Sequence, residues 1–172
     1  MTFQINRDDG LYYRQTLFDQ AKRVVVKAGS AVLTDRDGLK SDVIDNLARE
    51  LTFLRNTGRE VILVSSGAVA AGRQRLGPVH KPAHGLKVKQ ALAAMGQSLL
   101  MQAYEQAFGR QQQKVAQILL THADLSSRDR YLNVRNTIHT LFEFGVIPII
   151  NENDTVSVEE LRFGDNDTLG AL

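Results

Sequence analysis

Cysteine and tryptophan are both absent from the 172 residues, and proline occurs only three times. Without cysteine there is no disulfide framework and no thiolate metal site, a usage that suits a reducing, cytoplasmic setting. Aromatic residues make up 6% of the chain, too few for the stacking surface of a single-strand nucleic-acid binder. The formal net charge is +2, so no strong basic field marks nucleic acid as a partner. No apolar run approaches the roughly 18 residues of a membrane-spanning helix, and no membrane role is expected. The N-terminal residues carry Arg7, Asp8 and Asp9 where a secretory signal would have an apolar core. Neither the Walker pattern G-x-x-x-x-G-K-[ST] nor a dinucleotide-binding G-x-G-x-x-G occurs. What remains is an ordinary globular composition, 43% hydrophobic and 23% charged, in one domain's worth of chain.

What is present centres on one stretch from Val146 to Asp167, VIPIINENDTVSVEELRFGDND. Its opening, Val146-Ile147-Pro148-Ile149-Ile150, reads as a strand buried on both faces. The apolar run stops at Asn151-Glu152-Asn153-Asp154, and a second acid and amide cluster, Asp165-Asn166-Asp167, follows Gly164. Open α/β sheets build ligand sites beyond the carboxyl ends of their strands. Carboxylates delivered there can hold an ammonium group or a metal ion, or orient a cationic side chain. One such cluster suits a capped polar loop equally well. Two behind a single buried strand favour a site.

Upstream, Val24-Val25-Val26 is a short β-branched run that ends in Lys27-Ala28-Gly29-Ser30. A lysine there either snorkels to water or points its ammonium at a phosphate, with Gly29 letting backbone N–H groups come close. Ser41 to Thr57 carries an apolar stripe of Val43, Ile44, Leu47, Leu51 and Leu54, with Ser41 as its cap and Gly58 as its stop. The strand Val61-Ile62-Leu63-Val64 leads into Ser65-Ser66-Gly67-Ala68 and a helix of small residues. The amides and hydroxyls of such a turn suit a carboxylate or a phosphate. Arg73 to Lys89 is basic and free of acids, and Pro78, Pro82 and Gly85 mark it as a solvated loop. His80 and His84 have no acid or cysteine nearby to complete a ligand set, so no metal site is expected. Leu86 to about Arg110 is a long helix with Leu92, Met95, Leu99, Leu100, Ala103 and Phe108 toward the core; Gly96 interrupts it where another element packs close. A strand from Val115 to Leu120 precedes His122 and Asp124, a pair that could serve catalysis, although one histidine near one aspartate favours a plain loop. Arg128 to Phe144 is a further helix, with Tyr131, Leu132, Val134, Ile138, Leu141 and Phe142 on its apolar side and Gly145 as its end. Residues 1–22 lack clean periodicity and read as a poorly ordered extension. A short helix from Thr16 to Arg23 fits there, and Tyr12, Tyr13 and Phe18 are available to dock.

Alternating strands and helices predict an α/β fold, a mostly parallel sheet with helices on both faces. The strands ending at Lys27, Ser66 and Asn151 would then share one edge. The last residues, Asp167 to Leu172, read as the first turn of a helix without a cap. The expectation is a truncated domain, the N-terminal part of something longer.

Taken in order, VVVKAGSAVLT, VILVSSGAVAAGRQRLG, KQALAAMGQSLL, LLTHADLSSRDRYLNVRNTI, VIPIINENDTV and FGDNDTLGAL resemble the glutamate 5-kinase branch of the amino acid kinase family. The resemblance runs from about Arg23 to Leu172. It implies the family's three-layer α-β-α sandwich, with 1–22 as an N-terminal extension and 23–172 as the N-terminal part of a kinase domain. The ATP-binding half is then absent. It further implies transfer of the γ-phosphoryl group of ATP to the side-chain carboxylate of L-glutamate, the first step of proline synthesis. Magnesium would be carried in with ATP. By position, Lys27 looks like the lysine that contacts the transferring phosphates, with Gly29 and Ser30 as the adjoining turn. Ser66, Asp154 and Asn166 match glutamate-binding positions, Gly67 and Ala68 lend amides, and Asn151 supports them. Asp167 matches the aspartate that orients catalytic lysines. A homo-oligomer is implied for the full-length form. A different class, a non-catalytic glutamate-binding or assembly module, stays open beside the enzyme.

Overall fold

A computed structural model of the protein describes residues 7–36, 38–77 and 85–156. Its centre is a sheet of four strands in the order β1-β2-β4-β3, every pairing parallel. These are β1 (Arg23–Ala28), β2 (Glu60–Ser65), β3 (Val115–Leu120) and β4 (Ile147–Glu152). Between β1 and β2 run α2 (Ser30–Leu33) and α3 (Ser41–Asn56), and between β2 and β3 run α4 (Ala68–Leu76) and α5 (Leu86–Arg110). The link from β3 to β4 is made by α6 (His122–Ser126) and α7 (Arg128–Glu143), and α1 (Arg7–Gln20) precedes the sheet.

The handedness of parallel crossovers sorts the helices into layers. From β1 to β2, and from β2 past the β4 position to β3, the chain advances in one direction across the sheet, so right-handed connections keep α3 and α5 on one face. From β3 it steps back to β4, which sends α7 to the other face. The packing agrees: Ile44, Ala48 and Leu51 of α3 and Leu100, Tyr104 and Phe108 of α5 share one core with Val61, Leu63, Ile147 and Ile149. Ile62, Val64, Leu120 and Ile150 face Leu125 of α6 and Val134, Ile138 and Phe142 of α7. The result is the expected three-layer α-β-α sandwich.

Two glycines set the distance between α4 and α5. A Cβ at Gly72 would lie 1.9 Å from the Leu92 carbonyl oxygen, and one at Gly96 would lie 1.8 Å from that of Ala68. The helices therefore touch backbone to backbone. Gly96 does mark a close approach, but α5 runs through it without interruption.

Several local readings are corrected. The N-terminal helix spans Arg7–Gln20 rather than starting at Thr16, and Arg23 already belongs to β1. Of the residues expected to dock, Phe18 lies under the Arg59 guanidinium, 5.1 Å from it, whereas Tyr12 and Tyr13 are exposed. Ser41 is the first helical residue of α3; Lys40 occupies the cap, with no side-chain cap bond, because its N–H is held by the Leu33 carbonyl. Arg73 and Arg75 belong to α4, and Lys87 and Lys89 to α5, so the basic stretch is not a single loop; residues 78–84 lie outside the described residues. On α5, Met95, Leu99 and Ala103 are only half-buried, and Ala93, Met101, Tyr104 and Ala107 join Leu92, Leu100 and Phe108 in the interior. No residue of α7 is fully buried, and Tyr131 and Leu132 of its expected apolar side are exposed. Finally, β4 continues one residue past Asn151, its expected end, to Glu152. Asn151 and Glu152 pair with Leu119 and Leu120 of β3, so the strand carries two polar residues into the buried edge.

Candidate active site

Parallel pairing brings the carboxyl ends of all four strands to one edge. Lys27 pairs with Val64, which pairs with Ile150, which pairs with Ile118. One step further along, Ala28 pairs with Ser65 and Leu119 with Asn151. Adjacent strands lie about 4.8 Å apart, so the β1 and β4 backbones at this rim are separated by roughly 10 Å, a span that a small ligand bridges. Side chains alternate between the faces. Val64, Ile150 and Ile118 belong to the α7 side, which turns Lys27 that way, and Ser65 and Asn151 face α5. The expected residues of β1 and β4 thus reach the rim from opposite faces of the sheet.

The turn after β2 is held on both sides. The Ser66 N–H donates to the Ala28 carbonyl at 2.9 Å, and the Ser65 hydroxyl donates to the Ser66 carbonyl at 3.1 Å. Gly67 follows with φ 108°, a left-handed conformation that favours glycine, and it opens α4 as the cap residue. The first amides of α4 have no partners within their own helix and carry positive partial charge at the rim. Gly29 behaves differently. Its φ of −76° suits any residue, and a Cβ there would meet nothing within 4 Å. The chain's own packing does not demand glycine at that position.

At β4, Asn151 is 3% exposed. Its Nδ2 donates to Gln97 Oε1 at 2.8 Å, and its Oδ1 accepts the Glu152 N–H at 2.9 Å, so the carboxamide is fixed at both ends. The Asn153 N–H donates to the Leu120 carbonyl at 2.8 Å, tying the segment after β4 to β3, and half-buried Asp154 lies in the turn that follows. Asp165, Asn166 and Asp167, the second acid and amide cluster, lie outside the described residues.

His122 and Asp124 do not form a loop. They open α6, where Asp124 Oδ2 accepts the N–H of Thr121 at 2.8 Å and its hydroxyl at 2.6 Å. The Thr121 hydroxyl, then the Thr121 N–H, and lastly nearby Arg130 hold the Asp124 carboxyl below its usual range. This is a helix cap. Among the described residues no group of three or more acids and histidines is placed to hold a metal ion, and no helix is long and apolar enough to cross a membrane.

Tyr104 and Gln97 at this rim had not been singled out, and Tyr104 engages Ser65 of the expected turn. All of Ser65 and Tyr104 is buried, their hydroxyl oxygens are 2.9 Å apart, and burial pushes the Tyr104 phenol up to about 12. One signal was legible in advance. A tyrosine on the apolar face of a helix needs a partner for its hydroxyl. Which partner it finds is a matter of tertiary contact. A cleft of about 590 Å³ lies at the opposite edge, lined by Arg55, Arg59, Glu60, His139, Glu143 and Ile147 among others. It sits where strands begin, away from their carboxyl ends, and Arg59 there is engaged with the carbonyls of Ala21 and Phe18.

Comparison with known proteins matches the sequence to a family. The model of the amino acid kinase family matches residues 22–172. The chain belongs to the amino acid kinase family. Among its relatives, a glutamate 5-kinase of Desulfotalea psychrophila is 66% identical over 92% of this chain and 42% of its own length. A glutamate 5-kinase of Azoarcus sp. is 58% identical over 88% of this chain and 41% of its own. One from Geobacter metallireducens is 58% identical over 92% and 43%. The chain therefore spans about two-fifths of the length of these amino acid kinases. The family match begins at residue 22, so α1 falls outside it.

Proposed function

We propose that the chain is the glutamate-binding part of a glutamate 5-kinase acting in the cytoplasm. The observation that carries this reading is the 66% identity to a protein of that name across nearly the whole chain. It is supported by the sheet edge, where the ends of β1, β2 and β4 lie side by side. In the reaction, an oxygen of the glutamate side-chain carboxylate attacks the γ-phosphorus of ATP. The bond from that phosphorus to the β,γ-bridging oxygen breaks, and ADP leaves with the electron pair. Both reactants are anionic, so the protein's contribution is alignment and charge neutralisation.

Each residue type fits a task in that scheme. Lys27 stabilises charge on the transferring phosphoryl group, beside the turn at Gly29 and Ser30. Ser66 and the amides of Gly67 and Ala68 hold a substrate carboxylate. Asp154 pairs with the substrate ammonium, Asn151 supports it through its fixed carboxamide, and Asn166 adds polar contacts without adding charge. Asp167 orients the cationic groups. Magnesium arrives with ATP as part of the substrate.

The test is ATP-dependent formation of an acyl phosphate, trapped with hydroxylamine as the γ-hydroxamate, alongside calorimetric titration of the chain with L-glutamate. In an active protein, Lys27→Ala is expected to lower kcat about 100-fold or more with little change in the glutamate KM. Near-normal kcat would remove Lys27 from the transition state. The short span relative to the relatives favours a second reading, a glutamate-binding or assembly module without turnover. Binding without hydroxamate would select it, and absence of binding would reject both.

A further inference from the structure

We infer that Tyr104 is a positioning residue, which through Ser65 sets the direction of the Gly67 N–H at the rim. The inference rests on the reading that the Ser66–Gly67 turn receives the substrate carboxylate. It begins with proton counting. The Ser65 hydroxyl is hydrogen-bonded both to the Ser66 carbonyl, at 3.1 Å, and to the Tyr104 hydroxyl, at 2.9 Å. A carbonyl only accepts, and a serine hydroxyl has one proton to give. Ser65 therefore donates to the Ser66 carbonyl, and Tyr104 donates to Ser65. The order is Tyr104 to Ser65 to the Ser66 carbonyl. With the phenol pushed up to about 12 by burial, Tyr104 keeps its donating proton at neutral pH.

The end of that relay is a peptide plane. No cis peptide occurs among the described residues, so the carbonyl of Ser66 and the N–H of Gly67 point in opposite directions. Holding the carbonyl toward the buried Ser65 hydroxyl turns the Gly67 N–H away from the core. Among the described residues that N–H donates to no group. The other side of residue 66 is fixed independently, by its N–H on the Ala28 carbonyl of β1. The α5 helix that carries Tyr104 is itself seated against the first turn of α4, through the contact of Gly96 with the Ala68 carbonyl. The donor and the helix that follows it are thus referenced to one element.

Packing alone gives no reason for the hydroxyl. Tyr104 sits beside Phe108, ring centroids 6.3 Å apart, and phenylalanine would fill the same space. The experiment is Tyr104→Phe in the 172-residue chain, read by two-dimensional 1H–15N NMR and by calorimetry with L-glutamate; Ser65→Ala is the second variant, and Ser65→Thr restores the hydroxyl. The Gly67 amide resonance is expected to move in Tyr104→Phe and in Ser65→Ala and to return toward its original position in Ser65→Thr. The Kd for L-glutamate is expected to weaken about 5- to 10-fold in the first two, the loss of about one hydrogen bond. A purely structural role would lower Tm while leaving the Gly67 amide and the Kd unchanged, and that result overturns the inference. If the unaltered chain binds no glutamate, the functional reading fails, yet the Gly67 resonance still decides whether Tyr104 orients this peptide. Should Tyr104→Phe not fold, the two Ser65 variants carry the same decision.

Discussion

The two faces of the sheet are covered unequally. On the α3 and α5 face, Leu33, Leu51, Leu63, Leu100, Tyr104 and Phe108 are at most 2% exposed. On the other face α7 buries none of its residues, and Val25 of β1 is 41% exposed. The difference follows from strand order. Two crossovers advance across the sheet and stack α3 and α5 on one side, and a single step back supplies α7 to the other. A long helix whose inner face is lined by Leu92, Leu100, Tyr104 and Phe108 meets a complete layer, whereas α7 lies against four buried sheet residues, Ile62, Val64, Leu120 and Ile150. The packed face also holds the polar contacts to the rim, Tyr104 to Ser65 and Gln97 to Asn151. Stability and the bracing of Ser65 and Asn151 therefore reside in the same layer, while Lys27 reaches the rim from the other face.

The sharpest way to break this contrast is Gly96→Ala. A Cβ at that point would meet backbone atoms of α4 at 1.8 and 2.3 Å, and backbone cannot rotate aside. A loss above about 4 kcal/mol is expected, read as a collapse of the urea midpoint. A change under about 1 kcal/mol would mean that α4 and α5 are free to separate.

A matched pair of truncations compares the faces directly. Leu100→Ala removes a fully buried side chain and is expected to cost about 3–4 kcal/mol. Ile138→Ala on α7, only half-buried, should cost about 1–2 kcal/mol. Equal shifts of the urea midpoint would abolish the distinction between the faces.

The smallest expected effect concerns the cap of α6, on the thinly covered side. The Asp124 carboxyl is held below its usual range in the folded protein. Its contribution is therefore present above the unfolded carboxylate value of about 3.9 and is lost as pH falls through the lowered folded value. Asp124→Asn should cost about 0.5–1 kcal/mol at neutral pH, and the gap to the parent chain should close in acid. A gap that stays constant down to acid pH would show that the charge is not what the cap uses.

Much of the fold was legible because it rests on local periodicity. The apolar stripe of α3, the length of α5, the buried run that opens β4 and the glycine that ends α7 each announce themselves within a few residues. The errors also have local causes. Ser41 has the composition of a cap, but the backbone of Lys40 is held by Leu33 and takes that place. The strand β4 was expected to end at Asn151, because only pairing with β3 shows that it goes on to Glu152. The equal-looking stripe of α7 gave no sign that its face would be less deeply covered than that of α5. At the rim, Lys27, Ser66, Asn151 and Asp154 stood out as polar residues closing apolar runs. Tyr104 and Gln97 did not, since they sit within a helix far from the strands they contact.

By itself, then, the order of residues determined the four strands and the long helices α3, α5 and α7, since each of these depends on neighbours a few positions away, and the alternation of strand and helix pointed to parallel pairing. Only the tertiary structure decided that β4 inserts between β2 and β3, which face each helix covers, and that two polar residues of α5 brace Ser65 and Asn151 across separations of 39 and 54 residues. The physical reason is that hydrogen-bond partners and packing depth are properties of atoms brought together by the whole chain, and no local period encodes them.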